Sequence, residues 1–82
     1  MKIRNEFWKL AAQISGSDTV SNDEAASILL AQVETLGWTY QNDPDIVTDP
    51  AGHGHYMHCY DLIHQAYEII MLDADLKQLG ML

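Results

Sequence analysis

The chain has 82 residues, with twelve acidic residues against four lysines and arginines, and its formal net charge is −8 at pH 7. This length allows one small domain over residues 1–82, and the single cysteine, Cys59, excludes a disulfide within the chain. The longest apolar run, residues 69–72, is far shorter than the roughly 20 residues of a membrane helix, and we expect a cytoplasmic protein.

The charge is unevenly distributed along the chain. Residues 10–76 contain no lysine or arginine, yet they hold all but one of the acidic residues. Phosphate contacts would therefore be almost absent, which disfavours direct binding of nucleic acid, and anionic membranes are disfavoured for the same reason. The distribution favours a basic protein partner, although acidity can also serve solubility alone.

The first predicted helix covers residues 3–15. Apolar side chains recur there at spacings of three and four, at Ile3, Phe7, Leu10, Ala11 and Ile14. Gly16 follows, and glycine readily takes the left-handed conformation that ends a helix.

The second predicted helix, residues 22–36, has the clearest boundaries. Ser21 and Glu24 have the spacing of a capping box, in which each side chain bonds the backbone N–H of the other residue. Gly37 supplies the stop.

Residues 38–48 combine two segments that favour the β conformation with turn-forming residues between them. A hairpin is one interpretation. Because two strands alone are marginally stable, we prefer an ordered loop whose Trp38, Ile46 and Val47 cover the helical core.

The third predicted helix is long, residues 54–79, and begins after Gly52 or Gly54. Asp49 and Pro50 are interpreted as a cap and first-turn pair, and Gly80 as the stop. Asp73 falls on the apolar side, so a break near that residue is an alternative.

Three helices with short links indicate an all-α fold, a small three-helix bundle with an ordered or hairpin-like loop at 38–48. The third helix is the longest and carries an apolar and aromatic stripe, which suggests a homodimer surface. The residues of this stripe are Tyr56, Tyr60, Tyr67 and Ile70.

A histidine-rich segment precedes the centre of the third predicted helix. If His55, His58 and Cys59 were helical, their spacings would bring them together within one turn, where imidazole and thiolate could hold zinc. The alternative is that the histidines are ordinary polar residues and that Cys59 is a small apolar residue of the core.

Two further kinds of site are disfavoured. His55 and Cys59 within one helical turn leave little room for a substrate, so a Cys–His nucleophile is not expected. The segment that contains Asp43, Asp45 and Asp49 lacks the glycine and the terminal glutamate of a calcium-binding EF-hand loop. We therefore expect no enzyme.

These features favour a non-enzymatic acidic protein-interaction module, an inhibitor or immunity-type protein that occupies a basic, nucleic-acid-binding surface of its partner. Bacteriocin immunity proteins and phage-encoded inhibitors of nucleases are similar to it in size and charge alone. The alternatives are a structural subunit that self-associates through its third helix and a small histidine-rich metal-binding protein. The predicted contacts are Asp43, Asp45, Asp49, Asp61, Glu68 and Asp75, with Trp38 and Tyr40 as aromatic anchors.

Overall fold

The computed structural model describes residues 3–40, 45–57 and 61–82, and of Tyr40 only the backbone. Three helices and three short strands follow one another in these ranges. They are α1 (Asn5–Ser15), α2 (Asn22–Leu36), β1 (Thr39–Tyr40), β2 (Ile46–Thr48), β3 (Gly54–Tyr56) and α3 (Leu62–Gln78).

The fold is mostly helical, as predicted, but it is not a pure three-helix bundle. The strands form one antiparallel sheet in the order β1-β2-β3. The sheet was unexpected in this extent because its third strand lies in a segment that the sequence pattern assigned to a helix.

The first two helices have the boundaries that local signals predict, to within two residues. In α2, the backbone N–H of Glu24 donates to the hydroxyl of Ser21 at 3.2 Å, and the capping box is complete. Gly16 and Gly37 end the two helices with φ of 73° and 84°, a left-handed backbone that other residues rarely adopt.

Residues 38–48 include a paired hairpin rather than a loop. Thr39 pairs with Thr48 and Tyr40 with Val47, and on the other side of β2 Val47 pairs with His55. The third strand explains why the pairing is stable here, since a hairpin of two strands would expose both of its edges.

The prediction that the third helix begins near residue 54 was wrong. Residues 54–56 form β3, and α3 begins at Leu62 after Asp61, whose carboxylate accepts the backbone N–H of His64 at 2.7 Å. The helix then runs to Gln78 without the break considered at Asp73. The pairing of Tyr56 with Ile46 of β2 overrides the helical spacing that included Tyr56, because that spacing is a local signal.

The helices and the sheet share one core. Leu29 of α2, Val47 of β2 and Ile69 of α3 are the largest side chains that are fully buried. Phe7 and Ala11 add the inner side of α1 to the same cluster. Full burial of a Val, Leu, Ile or Phe side chain contributes roughly 1.5–3 kcal/mol, so the packing of Val47 against the helices helps to hold the short sheet in place.

None of the helices in the described ranges has both the length and the apolar character needed to cross a membrane.

Candidate functional site

Three predicted contact residues lie along one exposed side of α3. Asp61, Glu68 and Asp75 are separated by seven residues each, which is close to two helical turns. All three are exposed, and Met71, also exposed, lies between Glu68 and Asp75 on the same side. We call Asp61, Glu68, Met71 and Asp75 the α3 acidic stripe.

The stripe contains one described interaction with a titratable neighbour. The Nε2 atom of His64 lies 3.5 Å from the Glu68 carboxylate, one turn away along the helix. The side chain of His64 is 23% exposed and that of Glu68 is 47% exposed, so solvent partly screens this pair. The carboxylate of Asp61 also accepts the backbone N–H of His64 at 2.7 Å. Asp61, Glu68 and Asp75 nevertheless lie at exposed positions that a partner can approach.

Asp49 is not an exposed contact, contrary to the sequence-based prediction. Its side chain is 2% exposed, and its Oδ1 atom accepts the backbone N–H groups of Ala51 and His53 at 2.9 and 3.0 Å. Its Oδ2 atom lies 2.7 Å from the Nε2 atom of His55. The carboxylate thus organises the turn between β2 and β3 from inside.

The hydrogen bond with His55 is the main reason that the pKa of Asp49 lies below its ordinary value. Burial of the side chain opposes this shift, and the two backbone N–H groups reinforce it. Since an ionised carboxylate can only accept hydrogen bonds, the Nε2 atom of His55 carries the proton in this pair.

Trp38 is also buried, so its ring is not accessible as the predicted aromatic anchor, whereas its predicted place over the core is confirmed. Its ring centroid lies 5.2 Å from that of His55. Its indole N–H donates to Oδ1 of Asp73 at 2.9 Å. The Oδ2 atom of Asp73 is 2.8 Å from the ammonium of Lys77, which lies one turn further along α3.

These hydrogen bonds and the ring contact between them join into one chain of contacts, which we call the Asp49–Asp73 network. It runs from Asp49 through His55 and Trp38 to Asp73 and links the sheet to α3. This network was not predicted from the sequence. The part of it that the sequence does indicate is the turn: the series Asp49, Pro50, Ala51 and Gly52 has the residue preferences of a type I turn, but we interpreted it as a helix start.

The proposed zinc ligands are only partly covered by the structure. His55 lies on a strand, so the helical spacing that grouped it with Cys59 does not exist there. His58 and Cys59 lie outside the described residues, and the zinc site stays a prediction. Within 3–40, 45–57 and 61–82, no three His, Cys, Asp or Glu side chains are grouped so that they could hold a metal ion.

Some of the remaining predicted contacts lie within the described residues and others lie outside them. Asp45 is exposed at the start of β2. Asp43 and the side chain of Tyr40 lie outside what the structure describes. Of the stripe suggested for a homodimer, Tyr56 is exposed on β3, whereas Ile70 is buried and Tyr67 packs against Phe7 with ring centroids 4.6 Å apart. Tyr60 lies outside the described ranges, and the other three do not form one surface.

An apolar groove of about 580 Å³ lies between the start of α1, the middle of α2 and the start of α3. Its polar lining residues are Arg4 and Asp61. The guanidinium of Arg4 is 5.5 Å from the centroid of the Phe7 ring and 4.0 Å from the Glu6 carboxylate. The apolar residues that line the groove are Ile3, Phe7, Ala26, Leu30, Leu62 and Ile63.

Comparison with known proteins finds no protein-family model, no curated protein and no solved structure that matches this chain.

Proposed function

We propose that this chain is a non-enzymatic protein-interaction module that occupies a basic surface of a partner protein, as an inhibitor or immunity-type protein does. The observation that carries the proposal is the α3 acidic stripe. It presents three carboxylates on one side of the longest helix, in a chain whose residues 10–76 contain no lysine or arginine. A nucleic-acid-binding surface is basic and would complement such a stripe.

The free energy of each ion pair decides whether the α3 acidic stripe contributes mainly to affinity or to the rate of association. One exposed ion pair contributes about 0.2–1 kcal/mol, so a few carboxylates cannot give high affinity by themselves. Their summed field acts over about 10 Å at moderate ionic strength and speeds the encounter with a basic surface. Met71, exposed between Glu68 and Asp75, adds an adaptable apolar contact at the centre of the stripe.

The Asp49–Asp73 network supports a structural rather than a catalytic role for its histidine. An imidazole held by a carboxylate can act as a general base, as in many enzymes. Here, however, the carboxylate also holds two backbone N–H groups of the turn, and the ring of His55 lies against buried Trp38. The groove is lined by residues of other segments, so His55 does not face it.

Self-association is the second candidate, and one observation favours it. Leu79 and Met81, at the end of α3, are both strongly exposed. Two copies that each carry a charge of −8 would repel one another, so this interface would have to be apolar and would strengthen at high salt. Sedimentation velocity over a range of salt concentrations separates this candidate from the first.

The proposal is tested by a pull-down in low salt with the chain as immobilised bait, followed by a salt step and mass spectrometry. We expect a basic nucleic-acid-handling protein in the salt eluate. The double variant E68Q/D75N should bind that protein about fivefold more weakly, since two exposed ion pairs are together worth roughly 1 kcal/mol.

The matched control is D18N, which is compared with the single variant D75N because each removes one negative charge. Asp18 is exposed and lies outside the α3 acidic stripe and the lining of the groove, so D18N should keep nearly the affinity of the wild type. Equal losses in D18N and D75N would show that net charge alone matters, and an eluate without any basic protein would contradict the proposal.

A further inference from the structure

The apolar groove leaves two leucines open to solvent. Leu62 is 59% exposed and Leu30 is 37% exposed, although both lie beside buried core residues. Leu62 belongs to the first turn of α3 and Leu30 to the middle of α2. A concave apolar surface between helices, bordered by exposed leucines, is the form in which proteins receive the apolar face of an amphipathic helix.

Among the residues that the structure describes, the charges around the groove are mainly negative. Asp61 is part of the lining, and Asp23 and Glu34 lie on the same side of α2 as Leu30, at helical spacings of seven and four residues. Both are exposed. An occupant with lysine or arginine beside its apolar residues would meet these three carboxylates.

Arg4 is the one cation among the described lining residues, and it already has neighbours of its own. Its guanidinium contacts the Glu6 carboxylate and the face of the Phe7 ring. Lys9 lies two residues beyond Phe7 and therefore on nearly the opposite side of α1. The local balance thus disfavours an acidic occupant, and a second copy of this chain would bring another eight negative charges.

We propose that the groove binds an amphipathic helical segment of the basic partner, with bulky apolar side chains in the groove and lysine or arginine beside them. This inference rests on the proposed function and adds an apolar anchor to it. It assigns affinity to the groove and encounter rate to the α3 acidic stripe, because buried apolar contacts and long-range charge act differently on binding.

The test is an NMR titration of the full chain with a synthetic helical peptide of about 15 residues. This first peptide carries leucines at i, i+4 and i+7 on one face of the helix and lysines on the remaining faces. A second peptide has the leucines replaced by glutamine, and a third has the lysines replaced by glutamine.

We expect the first peptide to shift the amides of Phe7, Ala26, Leu30 and Ile63, with at least about tenfold higher affinity than either of the others. The variant L30S/L62S should lose about tenfold in affinity for the first peptide. The control variant L79S/M81S removes two exposed apolar residues outside the groove and should bind as the wild type does.

Several outcomes would overturn the inference about the groove, and they can be distinguished from results that contradict the proposed function. Equal binding of the first two peptides, with shifts at the α3 acidic stripe, would refute the groove but support the acidic module. Equal binding of the first and third peptides at the groove would refute the basic character of the occupant. Shifts at the groove on concentrating the chain alone would identify a second copy as the occupant. Absence of groove shifts with the first peptide at low salt would refute the groove itself, and the salt-step pull-down decides the proposed function separately.

Discussion

The carboxylate of Asp49 joins the turn before β3 to a side chain of that strand. It accepts the backbone N–H groups of Ala51 and His53 in the turn, and it pairs with the side chain of His55. A buried acceptor that satisfies several donors is difficult to replace. Each donor that loses its acceptor still carries the desolvation penalty of being buried.

We predict that D49A lowers the melting temperature clearly more than D49N does. Asparagine keeps an oxygen that can accept the two backbone N–H groups, whereas alanine leaves them without an acceptor. Thermal unfolding followed by circular dichroism at neutral pH measures the difference. Equal melting temperatures for the two variants would show that the turn does not depend on these bonds.

The lowered pKa of Asp49 also predicts a pH dependence. Because the folded protein holds this pKa below the unfolded value, the ionised carboxylate stabilises the fold above about pH 4, and this contribution is lost as the pH falls through the folded pKa. The difference in stability between the wild type and D49N should therefore shrink on acidification from about pH 5 to about pH 2. Urea unfolding at several pH values measures it, and a constant difference over that range would contradict the assignment.

Asp73 allows a second prediction about a single residue. Its Oδ1 atom accepts the buried indole N–H of Trp38. Its Oδ2 atom pairs with the ammonium of Lys77, whose side chain is half-exposed. We expect D73A to lower the free energy of unfolding by about 1–3 kcal/mol, because it leaves a buried donor unsatisfied. D73N keeps an acceptor for the indole and loses only a pair worth up to about 1 kcal/mol. Urea unfolding monitored by tryptophan fluorescence compares the two, and a larger loss in D73N would contradict this account.

Sequence reasoning placed Asp73 on the apolar side of the third helix and considered a break there. The helix instead continues, because the indole N–H of Trp38, 35 positions earlier, and the ammonium of Lys77, one turn further along, both pair with the buried carboxylate. The spacing of Asp73 and Lys77 is a local signal for an ion pair, whereas the bond with Trp38 joins two distant segments and no local pattern could indicate it.

At the level of the elements, boundaries set by neighbouring residues were predictable. The capping box of Ser21 and Glu24 and the stop at Gly37 fixed α2 from the sequence. The start of α3 was not found, since it depends on the pairing of β3 with β2. Asp61 carries a good local signal for that start, a carboxylate three residues before the N–H that it accepts, but the earlier tyrosine spacing obscured it.

Asp61 has two roles that substitutions can separate. As the N-cap of α3 it accepts the N–H of His64, and as a charge it belongs to the α3 acidic stripe. D61A should lower the free energy of unfolding by about 0.5–2 kcal/mol, whereas D61S should retain most of it because serine is also a good N-cap. Urea unfolding of both variants tests the cap. Equal destabilisation would indicate that the charge, rather than the cap, stabilises the helix.

For the molecule as a whole, the candidate site was partly predictable. The spacing of Asp61, Glu68 and Asp75 already placed them on the polar side of the third helix, and all three are exposed. The burial of Asp49 and the apolar groove were not foreseen. The first depends on a turn, and the second on three helices meeting at one place, so neither appears in the periodicity of a single segment.

The charge of the whole molecule also predicts how it should meet a partner. Exposed carboxylates distributed over α2, α3 and the loops produce a field that reaches beyond any single contact. We predict that such a field raises the rate of association with a basic partner, while apolar contacts in the groove slow the dissociation of the complex.

The most direct test is the association rate constant of this chain with the basic protein recovered in the pull-down, measured at increasing NaCl concentration. We expect the association rate constant to fall about tenfold between roughly 20 and 200 mM NaCl, with little change in the dissociation rate constant. An association rate constant that is independent of salt would contradict the claim that the acidic surface recognises a basic partner.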